Sequence, residues 1–220
     1  IQNGRGDKRV LSLLDDLAFQ KISILKVDKN KLDQLSNGET HQGVISEIIM
    51  PTFPGEKILI ESIKNSSKKP LVLILDSIQD PRNLGACLRS ANAAGVDFVI
   101  INKDGSAPIN SLVYKASAGA INSLQIFLVT NIVRTIKAIQ KEGLWVIGLD
   151  GNATTTIYDV NLADSTAIVM GSEGKGIRQL IKKTCDQLVI IPMSGNIESL
   201  NVSVATGIAL FESMRQRKTS

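Results

Sequence analysis

Asp80-Pro81-Arg82-Asn83-Leu84-Gly85, with Arg89 four residues further on, is the first of three stretches whose residue types could do chemistry. Pro81 stiffens the segment, Asn83 can cap a following helix, and Gly85 allows close backbone approach. Arg89 would lie about a turn and a half beyond Asn83, within reach of a ligand held at the helix start. The same residues also suit a capped helix with a surface arginine. The second stretch, Gly171-Ser172-Glu173-Gly174-Lys175-Gly176, exposes backbone N–H groups to a ligand. Its order, G-x-x-G-x-G, is not the dinucleotide pattern G-x-G-x-x-G, and it lacks the GK[ST] of a nucleoside-triphosphate loop. Glu173 would repel phosphates and favours a ligand with a cationic or hydrogen-bond-donating group. A tight turn with no ligand is the plainer alternative. In the third stretch, Pro192 to Ser203, extended backbone would send Ser199 and Asn201 to one side and Leu200 to the other. One segment could then serve a polar reaction centre and an apolar wall, or it could simply cap a core helix.

These stretches need rigid elements to hold them, and the hydrophobic pattern supplies candidates. Short apolar runs at 71–75, 96–101, 124–129, 144–149, 166–170 and 188–191 alternate with helical patterns. That texture indicates strands buried on both faces, hence a largely parallel sheet covered by helices, with ligand loops beyond the strands' carboxyl ends. The polar stretches follow the first, fifth and sixth of these runs. Ahead of them, Asp7 can cap a helix containing Val10, Leu13, Leu14 and Leu17, followed by an alternating run at 22–26, a short helix near 31–35 and a further strand at 43–49. The polar, basic segment 65–70, closed by Pro70, reads as a linker. The expected division is therefore a small α/β domain at 1–64 and a larger α/β domain at 71–220. The chain starts at Ile1 without a methionine, and the first domain is expected to be incomplete at its amino end.

Composition removes several function classes. The 220 residues are 43% hydrophobic, 21% charged and 4% aromatic, the balance of a globular protein rather than a disordered one. No apolar run approaches the roughly 18–20 residues that span a bilayer, and residues 1–9 are unlike a secretory signal, so no membrane partner is expected. A single histidine, His41, allows at most one histidine-based triad and no multi-histidine metal site; no metal is expected. Cys87 and Cys185 lack CxxC or zinc-type spacing and read as reduced thiols, consistent with a cytoplasmic location. The net charge of +4 leans toward a polyanionic partner. Arg5, Lys8, Arg9, Lys68 and Lys69 are candidate phosphate contacts, and His41 could contact the same polyanion or be a hydrogen-bonded loop histidine. Trp145, in an apolar run, reads as core. Met170 and Met193 flank the polar loops and could touch a ligand or fill core.

Taken together, Asn83-x-Gly85-x-x-x-Arg89, Ile168-Val169-Met170-Gly171-Ser172-Glu173-Gly174 and Ile191-Pro192-Met193-Ser194-Gly195-x-x-x-Ser199-Leu200-Asn201-Val202-Ser203 resemble the three motifs of the SpoU (TrmH-like) RNA ribose 2′-O-methyltransferases in order and spacing. The resemblance covers the larger domain. The first domain, with His41-Gln42-Gly43, is similar to the L30e-like substrate-binding domain of the subgroup that modifies guanosine in 23S ribosomal RNA. The resemblance implies an α/β-knot fold with a threaded carboxyl-terminal segment, a homodimer, and S-adenosylmethionine as cofactor. It also implies a substrate in 23S rRNA or a large-subunit assembly particle. Matched to the motifs, Gly171, Ile191 and Leu200, flanked by Met170 and Met193, would hold the cofactor, while Asn83, Arg89, Glu173, Ser199 and Asn201 would line the reacting ribose. Arg89 is then either the base for the 2′-hydroxyl or, since guanidinium is ordinarily always charged, a clamp on the adjacent phosphate. A transfer-RNA methyltransferase of the same superfamily and a catalytically silent RNA-binding protein are the competing readings.

Overall fold

The computed structural model describes residues 1–219, and their contacts divide the chain into two compact units, Ile1–Pro51 and Thr52–Ser220. The division falls earlier than residues 64–70. Helix α3 (Glu56–Lys64) buries Leu59 and Ile63 in the core that also holds Val72, Ile74 and Ile136, so it belongs to the second unit.

The first unit contains α1 (Lys8–Phe19), capped by the Asp7 carboxylate accepting from Val10 N–H at 3.2 Å, and α2 (Lys29–Leu35). The strands expected at 22–26 and 43–49 are not formed. The extended chain makes only an isolated parallel bridge between Gln2 and Val27. Alternation needs a neighbouring ladder and an apolar layer to bury against. Neither is present there, and Ile22 and Ile49 remain 48% and 98% exposed.

The second unit is a six-stranded, wholly parallel sheet in the order β3-β2-β1-β5-β4-β6. Its strands are β1 (Leu71–Leu75), β2 (Phe98–Asn102), β3 (Gln125–Val129), β4 (Trp145–Leu149), β5 (Thr166–Met170) and β6 (Gln187–Val189). All six apolar runs became strands because helices cover both faces. Helices α4 (Pro81–Ala93), α5 (Ser111–Ser117) and α8 (Val202–Thr219) border one hydrophobic cluster, whereas α3, α6 (Ile132–Lys141) and α7 (Gln179–Lys182) border the other. Trp145 is 50% exposed, contrary to its expected core position. It opens β4 two residues before β6 begins to pair at Ile147, so no strand flanks it on that side.

Strand order reverses direction between β1 and β5, where the chain after one strand goes one way across the sheet and the chain after the other goes the opposite way. Such a switch point leaves a crevice at the carboxyl edge. From β6 at the sheet's edge the chain returns to α8, which packs on α4 near the centre. Small residues permit that packing: Thr206 Oγ1 lies 3.4 Å from Cys87 Sγ, and Gly207 faces Ser90. At the far end of α8, Arg217 donates to the carbonyls of Lys69, Pro70 and Asp164 and so ties the helix to the segment entering β1. Among the described residues, no helix is long and apolar enough to cross a membrane.

Candidate active site

Asp80, rather than Asn83, caps α4. Its carboxylate accepts from Arg82 N–H at 2.6 Å and Asn83 N–H at 3.4 Å, with Pro81 at the first helical position, where a missing N–H costs nothing. The Asn83 side chain is thereby released for other partners. Its Nδ2 donates to Glu173 Oε1 at 2.6 Å, and its Oδ1 accepts from Asn201 Nδ2 at 3.1 Å. One residue from each polar stretch therefore joins a single chain of hydrogen bonds at the β1/β5 switch point. Asn201 serves twice, because its Oδ1 also accepts from Ser203 N–H at 2.9 Å and Ser203 Oγ at 2.6 Å at the start of α8. Asn201 thus caps α8, the plainer alternative, and still reaches Asn83.

Glu173 is presented by a loop that closes on itself. Gly176 N–H donates to Ser172 O at 2.8 Å, and Gly171 lies flat against Gly176 and Ile177, leaving no room for a Cβ. Beside this loop opens a cleft of about 680 Å³, within the range of small-molecule sites. Met170, Gly171, Ile191, Met193 and Leu200, all expected to hold the cofactor, line it, as do Glu173 and Ser199. The expected extended alternation is not followed: residues 191–201 form no strand, and Ser199 and Leu200 both face the cleft while Asn201 reaches Asn83. Met170 is also core, only 3% exposed.

The sequence reading missed Asp150 and Lys182, which form a 2.6 Å ion pair in the cleft wall. Burial pushes the Asp150 carboxyl up, but the Lys182 ammonium and the Asn152 N–H outweigh it and hold the group below its ordinary value. Asp150 directly follows β4, and its place beyond a strand's carboxyl end was the available signal. The cleft combines an apolar lining with three carboxylates, Asp150, Glu173 and Glu198, and two ammonium groups, Lys175 and Lys182, the latter paired with Asp150. That set suits a ligand with an apolar ring and charged groups of both signs, as the ammonium and carboxylate of S-adenosylmethionine are.

Arg89 is not drawn into the cluster. Six residues along a helix place it roughly 9 Å and about 240° from Asn83, and it is exposed with no ion pair among the described residues. Lys68 and Lys69 are paired, with Asp97 at 2.5 Å and Asp164 at 2.6 Å. In the first unit, Arg5 binds Asp7 at 2.8 Å and the Gln42 carbonyl, while Lys8 and Arg9 stand exposed on α1. His41 is a hydrogen-bonded loop histidine: Nδ1 accepts from Gly43 N–H at 3.0 Å and Nε2 meets Asp33 at 2.8 Å.

The model of the SpoU rRNA Methylase family matches residues 70–211, and that of the RNA 2′-O ribose methyltransferase substrate-binding family matches residues 1–54. The 23S rRNA (guanosine-2′-O-)-methyltransferase RlmB of Haemophilus ducreyi is 48% identical over 99% of this chain and 88% of its own. The RlmB of Escherichia coli K12 is 45% identical over 99% of this chain and 89% of its own. Among solved structures, the SpoU methyltransferase AviRb from Streptomyces viridochromogenes in complex with AdoMet superposes with a TM-score of 0.78 at 22% identity, covering 100% of this chain and 82% of that one. The A. aeolicus TrmH/SpoU tRNA modifying enzyme gives 0.63 at 26% identity, covering 74% of this chain and 85% of that one. The chain belongs to the SpoU rRNA methylase family.

Proposed function

We propose that this chain transfers a methyl group from S-adenosylmethionine to the ribose 2′-oxygen of a guanosine in 23S ribosomal RNA, in the cytoplasm and as a homodimer whose carboxyl-terminal segment is threaded as a knot. The observation that carries the reading is the Asn201–Asn83–Glu173 hydrogen-bond chain, which gathers the three motifs beside a cleft of cofactor size. The two RlmB relatives, similar over nearly the whole chain, support the substrate class.

When bound, the cofactor supplies an electrophilic methyl group on a sulfonium. Gly171, Ile191 and Leu200, with Met170 and Met193, form the cleft that would hold it, and the missing Cβ of Gly171 lets the loop neck close against Gly176 and Ile177. Asn83, Asn201 and Ser199 orient the ribose, and Glu173 fixes which way the Asn83 amide points. Proximity and alignment supply much of the rate in such a displacement. Arg89 carries a guanidinium that no carboxylate of the described chain neutralises. It grips the phosphate next to the target and lowers the 2′-hydroxyl pKa, leaving water to take the proton. Lys8 and Arg9, exposed on α1, contact the RNA backbone from the first unit, and Arg5 does so by exchanging Asp7 for phosphate. In the second unit, Lys68 and Lys69 contact phosphate by exchanging Asp97 and Asp164 for it.

Transfer of radiolabelled methyl to unmodified 23S rRNA, followed by mapping of the modified nucleotide, tests the reading. One labelled guanosine is expected. Arg89→Lys, which keeps charge but loses the fork, should lower turnover about 100-fold or more while calorimetric cofactor affinity stays within about threefold. Label entering transfer RNA instead, or Arg89→Lys working at the wild-type rate, would overturn it.

A further inference from the structure

Asp76 follows β1 directly and none of its surface reaches solvent. Its N–H donates to Met170 O at 2.8 Å, prolonging the β1–β5 pairing. Its carboxylate is fully engaged. Oδ1 accepts from Arg178 Nε at 2.8 Å, from Arg178 Nη2 at 2.7 Å and from the Ser77 hydroxyl at 3.0 Å. Oδ2 accepts from the Arg178 backbone N–H at 3.1 Å. One buried group thus holds both the main chain and the side chain of Arg178, the residue at which the 171–177 loop ends and α7 begins.

The loop's two ends are consequently fixed in different ways. Gly171 packs flat on Gly176 and Ile177 at the neck, and the Asp76–Arg178 bonds secure the exit. Glu173 sits in the short tip beyond. Asp76 also acts on the other partner of the Asn83–Glu173 bond. Ser77, which donates to it, adopts φ 61°, a left-handed conformation unusual outside glycine, and starts the turn that leads to Asp80 and α4. Nothing in methyl transfer itself requires a buried carboxylate and a half-exposed arginine at this place.

We propose that Asp76 and Arg178 are positioning residues: by clamping the exit of one loop and the entrance of another to a single buried carboxylate, they bring Glu173 onto Asn83. The inference rests on the reading of Asn83 and Glu173 as groups at the reacting ribose. It differs from a direct role for Arg178, whose side chain is 55% exposed and could otherwise be a phosphate contact.

The test is a double-mutant cycle in the full chain, measuring kcat, KM for 23S rRNA and calorimetric cofactor affinity. Arg178→Ala is expected to lower kcat about 100-fold with KM for RNA changed less than about threefold. Arg178→Lys, which restores charge without the fork, recovers only part. Because the clamp acts through Glu173, E173A/R178A should be no slower than E173A alone within about twofold, a non-additivity that a merely structural residue would not give. If R178A does not fold, D76N/R178Q, which leaves no buried charge unpaired, takes its place in the cycle. Multiplying losses overturn the proposal. So does a loss confined to RNA KM that steepens with salt, the mark of a phosphate contact. Wild-type turnover in E173A would instead overturn the underlying reading of the site, leaving Asp76–Arg178 a structural ion pair.

Discussion

Gly171 is the position where the smallest change should do the most to cofactor binding. A Cβ there would overlap Gly176 C, Gly176 O and Ile177 N, all well inside the 3.0 Å that real Cβ atoms keep. The atoms it meets are backbone, so no side chain can swing aside and the loop must open by on the order of 1 Å. Overpacking of this kind costs about 1–3 kcal/mol, and restoring the cleft wall around a ligand meets the same cost again. At about 1.4 kcal/mol per decade, Gly171→Ala should weaken the cofactor by roughly 5- to 150-fold. Isothermal calorimetry with S-adenosylmethionine or S-adenosylhomocysteine measures it directly. Gly195→Ala is the control, because Gly195 lies in the neighbouring loop with nothing within 4 Å of its would-be Cβ. It should bind within about twofold of wild type. Wild-type affinity in Gly171→Ala, or an equal loss in the control, would refute the claim that backbone contact at the loop neck shapes the cleft.

Two further outcomes follow from the packing. Gly85 lets α4 press on α5: its Cβ would come 2.5 Å from Ala116 Cβ and 2.8 Å from Val113 O. Gly85→Ala should therefore cost about 1–3 kcal/mol, seen as a lowered midpoint in thermal denaturation, and an unchanged midpoint would sink the argument. Burial pushes the Cys87 thiol up to about 11, the adjacent Thr206 hydroxyl offsetting only part of that, and burial with the neighbouring Asp186 charge pushes Cys185 up to about 12. The reactive thiolate is then scarce: about one part in 1,000 for Cys87 at pH 8. Ellman's reagent at pH 8 should leave the native protein nearly untouched for minutes and titrate both thiols after denaturation. Rapid labelling of the native chain would contradict the burial.

The sheet was legible because its signal is local: a strand covered on both faces is a short apolar run, and all six runs paired in parallel. The first unit shows the converse. Alternation at 22–26 and 43–49 has the period of a strand, but pairing depends on a partner segment, and those residues have no ladder. Trp145 misled for a similar reason, its hydrophobicity saying nothing of where β6 begins. Within the site, the resemblance assigns Asn83 to the reacting ribose, and only the expectation that it caps α4 fails. Asn and Asp compete for the same capping position, and only the backbone decides that Asp80 wins it. Asp76 and Arg178 stand 102 residues apart, and no spacing rule links residues brought together only by the β1–β5 pairing.

The hydrogen bonds that gather the three motifs are too weak to be explained as stabilisation. Asn83, Glu173 and Asn201 meet at the surface, where a bond between such groups is worth about 0.5–1.5 kcal/mol at most, because water offers nearly equal partners when it breaks. The consequence of the network is orientation. A carboxylate only accepts, so the Asn83 amide must present Nδ2 to Glu173 and its oxygen to Asn201. One amide proton and one lone pair are then left at fixed directions beside the cleft, a donor and an acceptor matched to a hydroxyl that is itself both. The fold provides this alignment where β1 and β5 diverge, since loops leaving that point meet over the carboxyl edge whatever their sequences. The residues in the loops decide what the meeting place can recognise.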